Sequence, residues 1–465
     1  MSHENEADMA ASRHRFIGFS IAFAALGFLL FGYDTGVIAG AILFVKKEMQ
    51  LTPTMVALVV SILLAGATLG AVVSGFLVER FGHRRILLGA GILFTVGALL
   101  AAFSTSFSML VVARFLLGLG VGTASAQVML YVCEIAPTEV RGKLATLAPL
   151  TGTCGILVSY FMSYVFSLHG QWRWMFGVAV VPSVLLMIGM VFAPNSPRWL
   201  VRRGRIDEAL AVLGRSLPQE QAKLELAEIQ TVAHREERFS AIKLVSDRSL
   251  RGPLAAACAL AILQQIVGIN TIVYYAPMIL RNIGFGASTA ILTTAFLQIL
   301  AALATFVASR IVDRAGRRPL LIGGAVVMGV SLAAIGIIMQ TPLAFTTSGH
   351  VIAVSALAVY KMAFSFSWGP LVWVMMPEIL PLRARGTGMG ISTLCNWASN
   401  FGVSFSFPLL MAASSMLVFG TFIGGCILAI LFTVFILKET ARKSLERIEV
   451  EEEMQVGQNA QMSHH

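Results

Sequence analysis

A nine-residue pattern occurs twice in this chain: EIAPTEVRG, with Glu134, Pro137, Arg141 and Gly142, and EILPLRARG, with Glu378, Pro381, Arg385 and Gly386. A charged motif that returns at the ends of two hydrophobic spans marks a duplicated helical bundle, because each copy solves the same packing problem in the same way. A second pair agrees. GFLVERFGHRR carries Glu79, Arg80, Gly82 and Arg84, and SRIVDRAGRRP carries Asp313, Arg314, Gly316, Arg317 and Arg318. Each copy sets an acid at a helix end and arginines around a glycine turn, which suits an ionic network that latches one conformation and releases it.

The composition decides the solvent. With 57% hydrophobic and 12% charged residues and a mean hydropathy of +0.80, most of the surface must face lipid. Twelve apolar stretches reach the roughly 20 residues that a transmembrane helix needs. They run at about 16–45, 55–78, 86–105, 109–132, 144–168, 173–193, 253–280, 288–312, 319–340, 351–377, 386–411 and 415–437. The runs are continuous rather than alternating, so they are helices and not barrel strands. This predicts an all-α membrane protein with two six-helix halves, 1–193 and 253–437. Between them, 194–252 reads as a cytoplasmic linker of short amphipathic helices, and 438–465 as a polar cytoplasmic tail. Arg13 and Arg15, Arg80 to Arg85, Arg141 and Lys143, Arg198 to Arg205, Arg310 to Arg318, Arg383 with Arg385, and Lys438 to Arg447 all fall on one side. That side, with both termini, is expected to be cytoplasmic, leaving a multi-pass protein in contact with the bilayer.

Other classes are disfavoured. The net charge of +10 is spread over short inter-span clusters rather than gathered on one soluble face, so no nucleic-acid partner is expected. Cys133, Cys154, Cys258, Cys395 and Cys426 are isolated, and no metal site or cofactor is expected. The glycines of GLGVG (Gly118, Gly120, Gly122) lie inside a span, where they serve helix packing rather than a dinucleotide. Without a Walker loop or a Ser/His/Asp pattern, the energy source must be a gradient and the chain is not expected to be an enzyme.

FGYDTGVIAG, the two glycine-turn loops, ARFLLGLGVG leading into YVCEIAPTEVRG, PNSPRWL, QQIVGINTIVYYAP, SFSWGPLVWVMMPEILPLRARG, NWASNFG and KETARKSLERIE follow one another in an order that resembles the sugar porters of the major facilitator superfamily. The proton-coupled bacterial carriers of xylose, galactose and glucose are the members it is most similar to. The resemblance implies the major facilitator fold, with pseudo-symmetric halves around a central site and alternating access. It also implies secondary active import of a neutral sugar, hexose or pentose, or of a polyol together with a proton. A functional monomer in the inner cell membrane, driven by the proton gradient, is the expected form. A facilitative uniporter and a non-transporting nutrient sensor are the alternatives.

Asp34 lies midway through span one among Phe, Gly, Leu, Val and Ile, where an acid costs about 2.5 to 3.5 kcal/mol on insertion scales. Burial favours the neutral carboxyl and a nearby cation the ionised one, so such a group can cycle between forms as access alternates. Arg114 is its expected partner, and the resemblance makes the pair the proton-coupling site; a static structural ion pair is the other reading. Gln264, Gln265 and Asn270 place three amides in span seven, where they need one another or a polar ligand, and amides match sugar hydroxyls as both donors and acceptors. The two glutamines point about 100 degrees apart. In the family these three residues, with Phe31, Trp373, Asn396, Trp397 and Asn400, contact substrate. Tyr274 and Tyr275 resemble its extracellular gate, with interfacial anchors as the plainer alternative. Glu79, Arg80, Arg84, Glu134, Arg141, Asp313, Arg314, Arg317, Glu378 and Arg385 are assigned to the cytoplasmic charge network. Gly369 and Pro370 are expected to hinge span ten.

The chain departs from the family at several positions. Pro149 and Ile156 stand where span five commonly has glutamines, Ala179 where some proton-coupled members have an acid, Ala301 where span eight has an asparagine, and Asn195 where PNSPRWL usually has a glutamate. Gln298 lies one turn from Ala301. Lys361, an extra cation in span ten, is expected to snorkel to the external surface; attraction of an acidic solute is the alternative.

Overall fold

The computed structural model describes residues 3–135, 138–215, 217–235, 244, 246–381 and 384–437, with side chains described from residue 18 onward and not at 138–149, 232–235, 309 or 311–315. Eighteen α-helices are described, and there is no strand among the described residues. In chain order they are α1 (His3–Glu48), α2 (Pro53–Phe81), α3 (His83–Ala102), α4 (Phe107–Ile135), α5 (Thr138–Ser167), α6 (Trp172–Gly177), α7 (Val180–Phe192), α8 (Pro197–Arg202), α9 (Ile206–Gly214), α10 (Gln219–Arg235), α11 (Arg248–Ile266), α12 (Ile269–Asn282), α13 (Ala287–Ala315), α14 (Arg317–Met339), α15 (Thr347–Phe366), α16 (Trp368–Ile379), α17 (Arg385–Ala413) and α18 (Ser415–Phe435).

Eleven helical stretches are long and apolar enough to cross a membrane. The twelfth span is α17, 29 residues long, whose hydropathy is lowered by Asn396, Asn400 and a series of serines. Spans six, seven and ten are each made of two helices. The sequence explains two of the breaks: Pro182 and Pro370 stand third in α7 and α16, in the first turn, where a backbone N–H has no helical partner to lose. The predicted hinge at Gly369–Pro370 thus opens slightly earlier, at Ser367, whose φ of −124° and ψ of −90° end α15.

The chain divides into two compact units. The first holds α1 to α10 together with Val273–Arg281 and Phe285–Ala295. Its α2 and α4 meet through reciprocal small-residue pairs. A Cβ on Gly66 or Gly70 would collide with the carbonyl oxygens of Phe115 or Leu119, and one on Gly118 or Gly122 with those of Leu63 or Ala67. Close backbone approach of this kind drives helix association in lipid, where apolar side chains gain nothing from leaving their solvent. Gly122→Val is therefore expected to force the two helices apart at a cost of at least about 1 to 3 kcal/mol, read as a lower melting temperature and reduced recovery of monodisperse protein in detergent; an unchanged melting temperature would contradict the seam. On the surface of this unit, α8 to α10 bury Leu200, Val201, Ala209, Leu213, Ala222 and Leu226 in a small core of their own, with Ser196 capping α8 through the Trp199 N–H.

The second unit holds α11, α14 to α18 and most of α13. Here α14 packs on α15 and α18, and α11 on α17 and α16. Large apolar side chains such as Phe192 and Phe435 lie exposed on the spans, as a lipid-facing surface requires.

Candidate functional site

Two polar constellations lie inside the spans. In the first unit, α1 carries Asp34 and α4 carries Arg114, 3% and 1% exposed. Arg114 Nη1 donates to Asp34 Oδ1 at 2.7 Å, and its Nε donates to the Val59 carbonyl at 3.2 Å. The guanidinium is thereby held by the α2 backbone and the acid together. Asp34 Oδ2 accepts no hydrogen bond from the protein. Neighbouring residues fix the helix around it: Tyr33 Oη donates to the Met175 carbonyl at 2.6 Å and Thr35 Oγ1 to the Phe31 carbonyl at 2.8 Å. A carboxyl with one oxygen engaged and the other unpartnered can carry a proton without dismantling its ion pair geometry.

In the second unit the predicted amides form a chain. Asn270 Nδ2 donates to Gln265 Oε1 at 2.8 Å, Gln265 Nε2 to Asn396 Oδ1 at 3.1 Å, and Asn396 Nδ2 to Gln264 Oε1 at 2.9 Å and the Ala261 carbonyl at 3.0 Å. Gln264 Nε2 completes it on the carbonyls of Trp368 and Gly369, at 3.0 and 3.3 Å. Both glutamines are buried, so the 100 degrees between them is spanned by Asn396. The carbonyls of Ala261, Trp368 and Gly369 were not among the predicted residues. The break before α16 is what brings the last two within reach, and the Gly-Pro pair was its signal. Asn400 accepts from Ser404 in its own helix at 3.1 Å. Trp373 exposes 44% of its surface and Trp397 is half-buried.

Tyr274 and Tyr275 are buried, unlike interfacial anchors. In the first unit, the Tyr160 hydroxyl holds the backbone beside them by donating to the Val273 carbonyl at 3.0 Å. Phe31 is half-buried on α1, one turn before Asp34.

Lys361 does not snorkel. It is 1% exposed, and its Nζ donates to Gln298 Oε1 at 2.7 Å. The long stem that could carry an ammonium outward is turned instead toward a buried amide on α13. Ala179 and Ala301 are buried and Ile156 is half-buried, so no polar group stands at these positions, while the side chain of Pro149 lies outside the described ones.

The duplicated loops hold related but unequal networks. Gly82 and Gly316, at φ of 80° and 84°, make the same turn in both copies. Arg84 then donates to the carbonyls of Met190, at 3.0 Å, and Val191, while Arg318 donates to those of Thr433 and Val434, at 3.2 and 2.8 Å. Each arginine therefore serves the orphan carbonyls at the end of span six or span twelve. Arg317 pairs with Glu378 at 3.3 Å, whereas the matching position in the other copy is His83, buried and 3.6 Å from Glu134, which also accepts from Ser196. Aligning GHRR with GRRP would have singled out His83. The Glu79 carbonyl accepts from Trp199 and Arg203, Arg80 sits 5.4 Å from the Phe81 ring, and Arg385 donates to the Leu380 carbonyl at 3.4 Å. The side chains of Arg141, Asp313 and Arg314 lie outside the described residues.

A family model described as sugar (and other) transporter matches residues 20–451. The D-xylose transporter of Levilactobacillus brevis is 41% identical over 459 residues, covering 95% of this chain and 97% of that protein. The galactose-proton symporter of Escherichia coli (strain K12) is 37% identical over 430 residues, covering 92% of each. Among solved structures, the inward open conformation of the xylose transporter from E. coli is similar at a TM-score of 0.79 with 28% identity, covering 94% of this chain and 99% of that one.

Proposed function

The chain belongs to the sugar porter family of the major facilitator superfamily, and from that premise we propose that it imports a neutral sugar, hexose or pentose, or a polyol together with a proton by alternating access. Family membership makes it a transporter rather than an enzyme. The observation that carries the proton is the Asp34–Arg114 pair, buried in mid-span with one carboxyl oxygen unpartnered. In this reading Asp34 takes up and releases the proton, Arg114 stabilises its ionised form, and the amide chain of Gln264, Gln265, Asn270 and Asn396 exchanges its internal hydrogen bonds for sugar hydroxyls. Phe31, Trp373, Trp397 and Asn400 complete the substrate contacts, since an indole offers an apolar face to sugar C–H groups. Tyr274 and Tyr275 close the external side, and the duplicated charge network, including Glu134, Arg317, Glu378 and Arg385, latches the cytoplasmic side. The mobile bodies are the halves 1–193 and 253–437, joined by 194–252, with both termini cytoplasmic in the inner membrane and the monomer as the working unit. The galactose-proton symporter relative supports coupling to protons, and the two xylose transporters support a sugar as the solute.

A facilitator without coupling is the second reading, favoured by Ala179. Purified protein in liposomes should accumulate one or more of a panel of labelled pentoses, hexoses and polyols only when an inward proton gradient is imposed. Equilibration that ignores the gradient would select the facilitator, and binding without uptake would select a sensor.

A further inference from the structure

Lys361 presents a charge problem that the amide chain does not solve. From residue 248 to 312, and again from 319 to 377, the sequence contains no aspartate or glutamate. The spans around Lys361 therefore offer no acid, and among the described residues its Nζ donates to Gln298 Oε1 alone. A lysine 1% exposed and without a countercharge is costly to keep in an apolar bundle.

The geometry fixes what the pair can bind. An ammonium has three donors and no acceptor, and an amide has two donors on nitrogen and one acceptor oxygen. Lys361 occupies one lone pair of that oxygen, which sets the amide orientation and leaves four donors, two on Lys361 and two on Gln298 Nε2, against a single remaining acceptor position. Gln298, at 8% exposed, is the more accessible member of the pair. The pair is tied to the amide chain through its own span. Tyr360, the residue before Lys361, donates to the Val267 carbonyl at 2.8 Å, two residues from Gln265, and the same broken span supplies the Trp368 carbonyl that holds Gln264.

We propose that Lys361 and Gln298 form a carboxylate subsite, so that this carrier takes sugar acids such as a uronate in addition to, or in preference to, neutral sugars. A donor-rich cradle with one positive charge complements an acceptor-only group with one negative charge, whereas a neutral hydroxyl would leave the charge unmatched. A phosphate dianion exceeds the charge available and is the weaker fit. The proposal rests on the sugar-porter reading above and adds the solute's charge.

The test uses the purified full chain with D-glucuronate, D-glucose, D-xylose and glucose 6-phosphate as probes, reading ligand-induced thermal shift in detergent and uptake in liposomes. The binding readout requires no transport. The expected result is glucuronate binding, with the ratio of glucuronate to neutral-sugar affinity falling ten-fold or more in Lys361→Gln, which keeps a donor but loses the charge. Gln298→Glu, which supplies an internal counter-anion and should not harm folding, is expected to lower the same ratio. Uptake of glucose or xylose with no binding of glucuronate would overturn the subsite and leave the sugar-porter reading intact. Binding of glucuronate that survives both substitutions unchanged, or stronger binding of glucose 6-phosphate, would also overturn it. If glucuronate binds through Lys361 but nothing is transported, the subsite stands and the transport reading fails.

Discussion

Proton-driven accumulation of solute is expected to vanish in Asp34→Asn, while exchange of labelled for unlabelled solute across the same membrane survives. Asparagine keeps the volume of the side chain and leaves an oxygen to accept from Arg114 Nη1 2.7 Å away, but it has no ionised form. It therefore removes the proton from the cycle without removing the packing. Coupling requires that the loaded and empty carrier differ in how readily they cross between states, and the neutral amide makes that difference independent of pH. The measured quantity is the ratio of internal to external solute at steady state, expected to fall from well above unity to about one. Accumulation that persists would make Asp34 a structural residue. The complementary substitution, Arg114→Met, strands a buried acid and is expected to cost about 3 to 5 kcal/mol of stability, so it serves as the contrast: a variant that loses coupling through misfolding shows a lower melting temperature, and Asp34→Asn should not.

What the sequence disclosed about this fold follows from the solvent. In lipid every backbone group must be satisfied within its own helix, so a run of about 20 apolar residues leaves one structural solution. The same rule explains why α17 was read as a span despite its asparagines: the residues around them are apolar, and α16 and α18 precede and follow it closely. Helix breaks were less legible. Pro182 and Pro370 mark two of them, but a proline is also tolerated inside a membrane helix, as Pro408 is in α17, so its presence alone does not locate an interruption.

Side-chain partners divide in the same way. Amides in an apolar helix announce that they need partners, and the sequence indicated Gln264, Gln265, Asn270 and Asn396. It could not indicate that the partners include the carbonyls of Ala261, Trp368 and Gly369, because a backbone acceptor carries no residue-specific signal. At Lys361 a lysine stem of four carbons permits two outcomes at one sequence position, an outward snorkel or an inward amide contact, and only the neighbouring helix decides. Arg84 and Arg318 also reach backbone carbonyls. Their targets are helix ends more than a hundred residues away, which charge patterning does not see.

Asn396 is the hub of the amide chain, and its loss is expected to have the larger effect on solute recognition. It donates twice, to Gln264 Oε1 and the Ala261 carbonyl, and accepts once, from Gln265 Nε2. In Asn396→Ala all three bonds go at once, and each buried polar atom left unpaired costs about 1 to 3 kcal/mol. The glutamines can recover part of that by turning toward each other, because Gln265 Nε2 already lies 3.5 Å from Gln264 Oε1. That rotation withdraws both amides from the arrangement a sugar meets, so binding weakens even where folding survives. A loss of affinity of at least ten-fold is expected, equivalent to about 1.4 kcal/mol, measured as solute-dependent thermal stabilisation or as KM in liposomes. Asn400→Ala provides the comparison, since Asn400 is bonded to Ser404 within α17 and lies outside the chain; its effect should be several-fold smaller. Equal effects at the two positions would mean that α17 presents asparagines to the solute independently. An Asn396→Ala affinity like the parent's would mean that the amide chain braces span seven against span eleven and does not read the solute.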